Sequence, residues 1–368
     1  MIRKIGVITT SRAEYGILRP VLRKLGESLR LFVGGAHLSP EFGNTWRQIE
    51  FPIAEKVECL MSSDTPEGIA KSIGITTFAF AQAFAHTPVD ILLITGDRYE
   101  AIGAALAAVP FKIPIAHLGG GDLTYGAFDE QFRHAITKLS HIHFVYSGEQ
   151  GKIVASLGED TKKIHVTGLP GLDNIAETDG RVQMLVQEND YIVCVFHPVT
   201  LEYENSGAYI DSLLSAVEKS GRYAIFVLPN ADTNGRTIIR KMRRYVEQHE
   251  TTSQAHANLT PDIFHLLMRE ATAMVGNSSA GLMEAPSFGL PVVNIGNRQE
   301  GRLRARNVID VGYSADMILA GINQACDPLF RESIRGIENP YGDGHAADRI
   351  VKVLMETPLD IVKKRFNV

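Results

Sequence analysis

Short apolar runs alternate with longer helical stretches along the whole chain, and this alternation limits the possible folds more than any other feature. In the first half the runs are KIGVIT, LRLFVGG, AEKVECL, DILLIT, IPIAHL, IHFVYS and KIHVTG. Between them lie helix-period segments such as GILRPVLRKL, ITTFAFAQAFA, YEAIGAALAAV and DEQFRHAITKL. Continuous apolar strands separated by helices imply parallel sheet built from right-handed crossovers. A Gly-rich polar stretch, GLPGLDNIAETDGR, reads as a hinge. The alternation then restarts with YIVCVFHP, YAIFVLPN, ATAMVGNSS and LPVVNIG, with YIDSLLSAV and IFHLLMREA as helices between them. The expected fold is α/β, with two doubly wound domains facing a cleft. The expected boundaries are 1–174 and 175–352, with a last helix over 353–368 returning to the first domain.

Composition narrows the function classes. The 368 residues are 45% hydrophobic, enough for two full cores. A net charge of −5 and a pI near 6.2, without a long basic run, speak against a general nucleic-acid surface. Any anion site must therefore be local. The three cysteines, Cys59, Cys194 and Cys326, lie far apart among apolar neighbours and read as buried thiols of a reducing compartment. The opening MIRKIGVITTSRAEYG is too brief for a signal h-region. No window approaches the ~20 apolar residues that span a bilayer, so no membrane partner and a cytoplasmic location are expected.

In open α/β sheets, ligands sit outside the carboxyl ends of strands. The unusual residues collect there: TTSRAEYG, GGAHLSPEFGNT, TGDRYEA and HLGGGD, then FHPVT, LPNADTNGR, GNSSAG and IGNRQEGR. His37, Arg98 and Gly276 are binding candidates from these loops. VGNSSAGLMEAP reads as strand, turn and helix, with Ser278 and Ser279 either meeting an anion or capping the helix. Glu284 suits vicinal hydroxyls or a solvated face, and Arg298, Arg302 and Arg304 follow one strand later. No G-x-G-x-x-G or G-x-x-x-x-G-K-[ST] occurs, which disfavours dinucleotide and P-loop chemistry. His197 ends a strand. His117, His134, His141 and His143 lack zinc-site spacing, so neither metal nor cofactor is expected. Asp97 either projects at a strand edge or caps the next helix, and Asp129 can cap EQFRHAITKL with Arg133 one turn on. Carboxylates gathered in one cleft are the material of proton transfer. Glycines 119–121 would let a substrate approach the backbone.

With those residues assembled, the sequence resembles the hydrolysing UDP-N-acetylglucosamine 2-epimerases of sialic- and legionaminic-acid synthesis. The resemblance runs through TSRAEYG, GDRYEA, DEQFRHAITKLSHIH, GLPGLDN, FHPVT, PNADTNGR, GNSSAG, EAPSFGLPVVNIGNRQ and NPYGDG. It implies two Rossmann-like domains in a GT-B architecture and a UDP-linked or GDP-linked sugar as substrate. It places His197, Ser278, Ser279 and Glu284 at phosphates and ribose, with Asn230, Asp232, Arg236 and Arg298 nearby and Arg12 reaching the phosphates. Asp97, Asp129 and Arg133 match positions implied in catalysis. One departure stands out: sialic-acid members read His-x-Glu-Gly-Gly-Glu where this chain reads His117-Leu118-Gly119-Gly120-Gly121-Asp122. Asp122 is then the candidate to take over the missing role, and the expected substrate is UDP-GlcNAc or its 2,4-diacetamido-2,4,6-trideoxy analogue, which is altered at C4.

The resemblance also implies elimination of UDP across C1–C2 to a 2-acetamidoglycal, then rehydration with inverted C2. Two rivals remain at this level: a GT-B glycosyltransferase, and a nucleotide-sugar-binding regulator without turnover. A homodimer or homotetramer is expected by family analogy.

Overall fold

The computed structural model describes residues 2–61, 63, 65–177, 190–199, 201–229, 235–257 and 259–364. These fall into two compact units. The first comprises Met1–Asp122, Asp129–Ala176 and Tyr341–Val368, and the second comprises Leu123–Phe128 and Glu177–Pro340. Residues 341–352, which the sequence groups with the second half, thus belong to the first unit.

The first unit is built on β1 (Ile5–Thr9), β2 (Leu29–Gly34), β3 (Ile53–Val57), β4 (Ile91–Thr95), β5 (Ile115–Leu118), β6 (Ile142–Val145) and β7 (Ile164–Val166). They form one sheet in the order β3-β2-β1-β4-β5-β6-β7. Every pairing is parallel, with registers such as Val7↔Leu31 and Val7↔Leu93. Its helices are α1 (Arg12–Leu25), α2 (Pro66–His86), α3 (Tyr99–Ala108), α4 (Asp129–Leu139), α5 (Gly148–Ser156) and α6 (Asp173–Glu177). Local chemistry sets their starts. Ser11 caps α1 by accepting from Glu14 N–H, and Thr65 caps α2 ahead of Pro66. Apolar faces of α2 and α3 close one side of the sheet, where Phe32, Phe80 and Phe84 pack with Leu92 and Ile94.

The second unit repeats the plan with β8 (Tyr191–Val195), β9 (Tyr223–Val227), β10 (Ser253–His256), β11 (Ala273–Gly276), β12 (Val292–Ile295) and β13 (Val308–Val311). Its parallel sheet runs β10-β9-β8-β11-β12-β13. The helices are α7 (Ser206–Ser220), α8 (Gly235–Gln248), α9 (Pro261–Glu270), α10 (Ala280–Met283), α11 (Ala315–Ala325) and α12 (Pro328–Ser333). The sequence reading lacks β10 and β13. Both are edge strands of four residues, SQAH and VIDV, without the continuous apolar run of a central strand. In each sheet the strand order reverses beside the first strand, between β1 and β4 and between β8 and β11. Such switch points open a crevice at the carboxyl edge.

The last helix, α13 (Ala346–Glu356), belongs to the first unit. Asp173 caps it from a distance by accepting from Ala346 N–H (3.0 Å) and Ala347 N–H (2.8 Å). The stretch read as a hinge is therefore bonded into the first unit over its described part, and Leu169 N–H also donates to Tyr341 C=O at 2.7 Å. Residues 178–189 of that stretch and its continuation lie outside the described residues. Among the described residues no helix is long and apolar enough to cross a membrane.

The chain beyond α13 fastens the end of α4. Lys364 Nζ donates to the carbonyls of Thr137, Lys138 and Ser140 and pairs with buried Glu159 (2.8 Å), which also meets Lys138 and His143. Burial alone would raise the Glu159 carboxyl, but His143, Lys138 and Lys364 outweigh it and hold it down to about 2. Its contribution is therefore present above the ordinary glutamate range and lost as pH falls toward 2. Lys364→Met should cost about 2–3 kcal/mol in chemical denaturation at pH 7. That deficit should shrink at pH 3, as Glu159 begins to take up its proton. A variant as stable as the parent at pH 7 would show that the tail does not hold α4.

Candidate active site

In the first unit the site forms at the carboxyl ends of β4 and β5. The chain leaves β4 through Gly96 (φ +72°) into Asp97. The N-cap position of α3 is Arg98, which makes no side-chain cap bond, and the Asp97 carboxylate is gripped instead by Arg133. Arg133 is 1% exposed, one turn into α4. It also binds the Glu130 carboxylate and donates to the Asp122 carbonyl at 2.7 Å. Burial would depress the guanidinium, but Asp97, Asp122 and Glu130 more than offset it, so the cation is retained. Asp129 opens α4, half-buried, directly before Glu130. Glu130 is not among the site residues read from the sequence. Its i,i+3 distance from Arg133 and the i,i+4 contact with His134 (2.9 Å) were the available signal.

Asp122 is buried, and its Oδ1 accepts from Gln150 Nε2 at 2.9 Å. Gln150 Oε1 in turn accepts from Tyr146 N–H and Ser147 N–H, in the capping box that starts α5. His117, fully buried on β5, ties two pieces of the site together. The Gly96 carbonyl can only accept, so Nε2–H donates to it (2.8 Å), and Nδ1 accepts from Thr137 Oγ1 on α4 (3.0 Å). Burial holds this imidazole down to about 3, so it is neutral at working pH. Neither His117 nor Gln150 was singled out as a site residue from the sequence. The contacts that bring them into the site, from Gln150 to Asp122 and from His117 to Gly96 and Thr137, join residues distant in the chain.

The three glycines serve a different purpose from the one expected. A Cβ on Gly121 would lie 2.3 Å from the Gln150 carbonyl oxygen, and one on Gly120 would lie 3.0 Å from Thr137 Oγ1. Gly119 has φ +92°, and a Cβ there would meet Tyr146 Oη at 2.6 Å. The bare backbone thus admits the protein's own α4, α5 and Tyr146, and the space beside Gly119 is filled by a phenol.

Three further candidates cluster at the ends of β1, β2 and β4. Arg12 is the first residue of α1, and burial lowers its guanidinium. His37 is buried between Thr9 Oγ1 (3.0 Å) and Thr45 Oγ1 (2.7 Å), and burial holds it down to about 4. Arg98 pairs with buried Glu100.

In the second unit, His197 follows β8 and the Gly276–Ser279 turn follows β11, on the two sides of the switch point. Asn277, missed by the sequence reading, locks them together. Its Oδ1 accepts from His197 N–H (2.7 Å), and its Nδ2 donates to His197 C=O (2.8 Å). Gly276 is obligatory here, because a Cβ would lie 1.9 Å from the Val195 carbonyl oxygen. Ser278 and Ser279 are half-buried. Ser279 occupies the N-cap position of α10 without a side-chain cap bond, while Ser278 Oγ accepts from Ala280 N–H at 3.4 Å. Glu284 lies at the end of the short α10, and its Oε2 is held by buried His265 at 2.8 Å. The arginine cluster divides. Arg304 pairs with Asp310 and Arg302 with Gln299, whereas Arg298 reaches the Asn277 carbonyl (3.2 Å) beside the turn. Arg236 is exposed on the first turn of α8. Asn230 and Asp232 lie outside the described residues.

Among the described residues no group of three or more His, Cys, Asp or Glu side chains is arranged to hold a metal ion. The chain is 35% identical to the UDP-N,N'-diacetylbacillosamine 2-epimerase (hydrolyzing) of Legionella pneumophila, over 98% of this chain and 97% of that one. It is 36% identical to the GDP/UDP-N,N'-diacetylbacillosamine 2-epimerase (hydrolyzing) of Campylobacter jejuni, over 84% of each. The crystal structure of Neisseria meningitidis UDP-GlcNAc 2-epimerase bound to UDP-GlcNAc superposes with a TM-score of 0.80 at 20% identity, covering 96% of this chain and 100% of that one. That likeness agrees with the two-sheet, GT-B-type fold. Residues 22–355 match the sequence profile of the UDP-N-acetylglucosamine 2-epimerase family. This two-unit α/β chain, with an ionic cluster at the carboxyl edge of its first sheet and an amide cluster at the switch point of its second, belongs to the UDP-N-acetylglucosamine 2-epimerase family.

Proposed function

We propose that the protein is a hydrolysing nucleotide-sugar 2-epimerase that converts a UDP-N-acetylhexosamine to the free 2-epimer and UDP. The observation that carries the reading is the gathering of Asp97, Glu130 and the Asp122 loop on one buried guanidinium, Arg133, at the carboxyl edge of the first sheet. Asp97 and Asp129 are the proton-transfer groups at C2 and at the incoming water, Arg133 fixes their surroundings, and Asp122 lies beside them. Loss of a weakly acidic C2 hydrogen requires a good leaving group. Ser278, Ser279, Arg298 and Gly276 are assigned to the departing diphosphate, with His197 beside them, Glu284 at the ribose, and Arg236, Asn230 and Asp232 on the same ligand. Electrostatic stabilisation of that kind is on the order of several kcal/mol. Arg12, Arg98 and His37 are assigned to the phosphates from the first unit's loops. Elimination would give a 2-acetamidoglycal and rehydration the inverted sugar, a precursor suited to nonulosonic-acid synthesis. A glycosyltransferase would need an acceptor, and a regulator would not need this carboxylate cluster.

The chemistry is tested by turnover in D2O. A free 2-epimerised N-acetylhexosamine with one deuterium at C2 should appear together with UDP, without any acceptor. Asp97→Asn should reduce kcat at least 1,000-fold while leaving UDP affinity nearly unchanged, because the amide keeps the shape but cannot exchange the proton. Retention of the original C2 hydrogen would rule out the mechanism.

The substrate's C4 group is assigned from the names of the two relatives above, both of which act on diacetamido sugars. Space vacated at Gly119 does not support it, since Tyr146 occupies that space. The expected outcome is a kcat/KM at least tenfold higher for the UDP-linked 2,4-diacetamido-2,4,6-trideoxyhexose than for UDP-GlcNAc. Competition kinetics with both donors measure it, and preference for UDP-GlcNAc would overturn the assignment.

A homo-oligomer is also proposed, now with a surface to carry it. On α2 and α3, Ile75, Phe78 (68% exposed) and Leu106 face outward, as do Val109 and Phe111 just beyond α3. No charged residue occurs from Ser72 to Ala85. An uncharged face of this kind marks an association surface, and two packed helices suit a twofold contact. Light scattering should show the parent chain as a dimer or larger and Phe78→Glu as a monomer. A monomeric parent would refute the proposal.

A further inference from the structure

Two buried carboxylates of the first unit have no part in the chemistry above. Glu14, on the first turn of α1, and Glu100, on the first turn of α3, are 7% and 0% exposed. Each organises a strand-end loop. Glu14 Oε2 accepts from Thr10 N–H (2.6 Å) and from the Thr10 hydroxyl (2.7 Å), which folds the loop that delivers Arg12. Glu100 takes Arg98 in a two-pronged pair, Nε to Oε2 at 3.1 Å and Nη2 to Oε1 at 3.2 Å, next to Asp97 in the chain. The loop after β2 closes a third side. Gly35 has φ +55°, and a Cβ there would lie 2.9 Å from Glu100 Oε1 and from Thr10. The loops bearing Arg12, His37 and Asp97–Arg98 thus meet on this pair.

The charges around the pair do not cancel. Of the groups that act on Glu14, Arg98 is the cation and Glu100 the anion. His37 adds no positive charge, because burial, Arg12 and Arg98 all favour its neutral form. Cys59, whose Sγ accepts from Gly35 N–H, is pushed up to about 11 by burial and Glu100 and stays a thiol. Thr10 and Ser11 are uncharged. One guanidinium therefore serves two buried carboxylates, and an uncompensated buried charge is costly. Burial accordingly raises Glu14 to about 7, with Arg98 opposing and Glu100 adding to the rise.

We propose that Glu14, buried behind the Arg12 loop and beside the Arg98–Glu100 ion pair, holds a proton that positions the Arg12 loop, and that binding of the substrate's diphosphate is coupled to proton uptake by Glu14. The inference rests on the reading that Arg12 and Arg98 meet the diphosphate. With the proton on Glu14, the cluster of Glu14, Glu100 and Arg98 is neutral. Without it, a net negative charge lies behind the cations and competes with the ligand. Both glutamates act through other groups, so they are positioning residues.

The sign is fixed by the direction of the shift. Glu14 binds its proton more tightly in the folded chain than in the unfolded one, so its neutral form dominates below about 7 and is lost above. Anion affinity should therefore fall as pH rises through that range. Calorimetry with UDP on the full chain at pH 6.5 and 8.5, for the parent and Glu14→Gln, reads this directly. UDP's own ionisation is common to both proteins. The parent should lose about fivefold more affinity over the interval than the variant. A merely structural role for Glu14 would lower the melting temperature without flattening the pH slope. A second measurement needs no variant: UDP binding to the parent at pH 7.5, in two buffers of different ionisation enthalpy, should show net proton uptake. Parallel pH slopes in the two proteins, or no net uptake in the parent, overturn the proposal. Failure of UDP to bind the parent at either pH overturns the substrate reading and this inference with it.

Discussion

Arg133 is the constraint on which the first unit's site depends. A guanidinium that is 1% exposed must be paired, and its partners come from three places in the chain: Asp97 after β4, Glu130 on its own helix, and the Asp122 carbonyl after β5. Satisfying that one cation fixes where α4 lies against the sheet edge. It also fixes where the carboxylates stand. Removing one partner from such a buried cluster typically costs about 3–5 kcal/mol, so the ionic device proposed to arrange the chemistry also holds the fold. His117 ties the same two pieces with neutral hydrogen bonds, from Gly96 to Thr137.

The second unit solves the corresponding problem with an amide. Asn277 satisfies both the N–H and the C=O of His197 and so holds the loops after β8 and β11 in register without spending any charge. That difference suits the proposed division of labour. A diphosphate site gains from cations that are not neutralised by neighbouring carboxylates, whereas proton-transfer groups need a fixed counter-charge. Within the arginine run, Arg304 is already paired with Asp310, and Arg298 is the one beside the turn.

Bare backbone and bound ligand are easily confused in a sequence. Gly119, Gly120 and Gly121 look like room for a substrate, yet each meets a neighbouring element of the protein itself. The turn is tight because α5 and Tyr146 press on it. A void beside Gly119 is therefore not what would select a substituent at C4, because Tyr146 fills that space.

The sequence by itself determined the class of fold, because the alternation of apolar runs and helical periods is a local property that each segment carries alone. Most strands stand where the runs placed them, and β10 and β13 escaped because edge strands are only partly buried. Asp97 and Arg133 were legible as a strand end and a helix face. Their mutual contact was not, since 36 residues separate them and nothing local encodes that distance. The same holds for Asn277 on His197, 80 residues apart, and for Lys364 on the end of α4. Which glycines were needed, which arginine remained beside the turn, and which carboxylates were buried with too few cations were decided only when the chain packed. Burial is a property of the whole fold, and it is burial that turns an ordinary glutamate such as Glu14 into a group that holds a proton near neutrality.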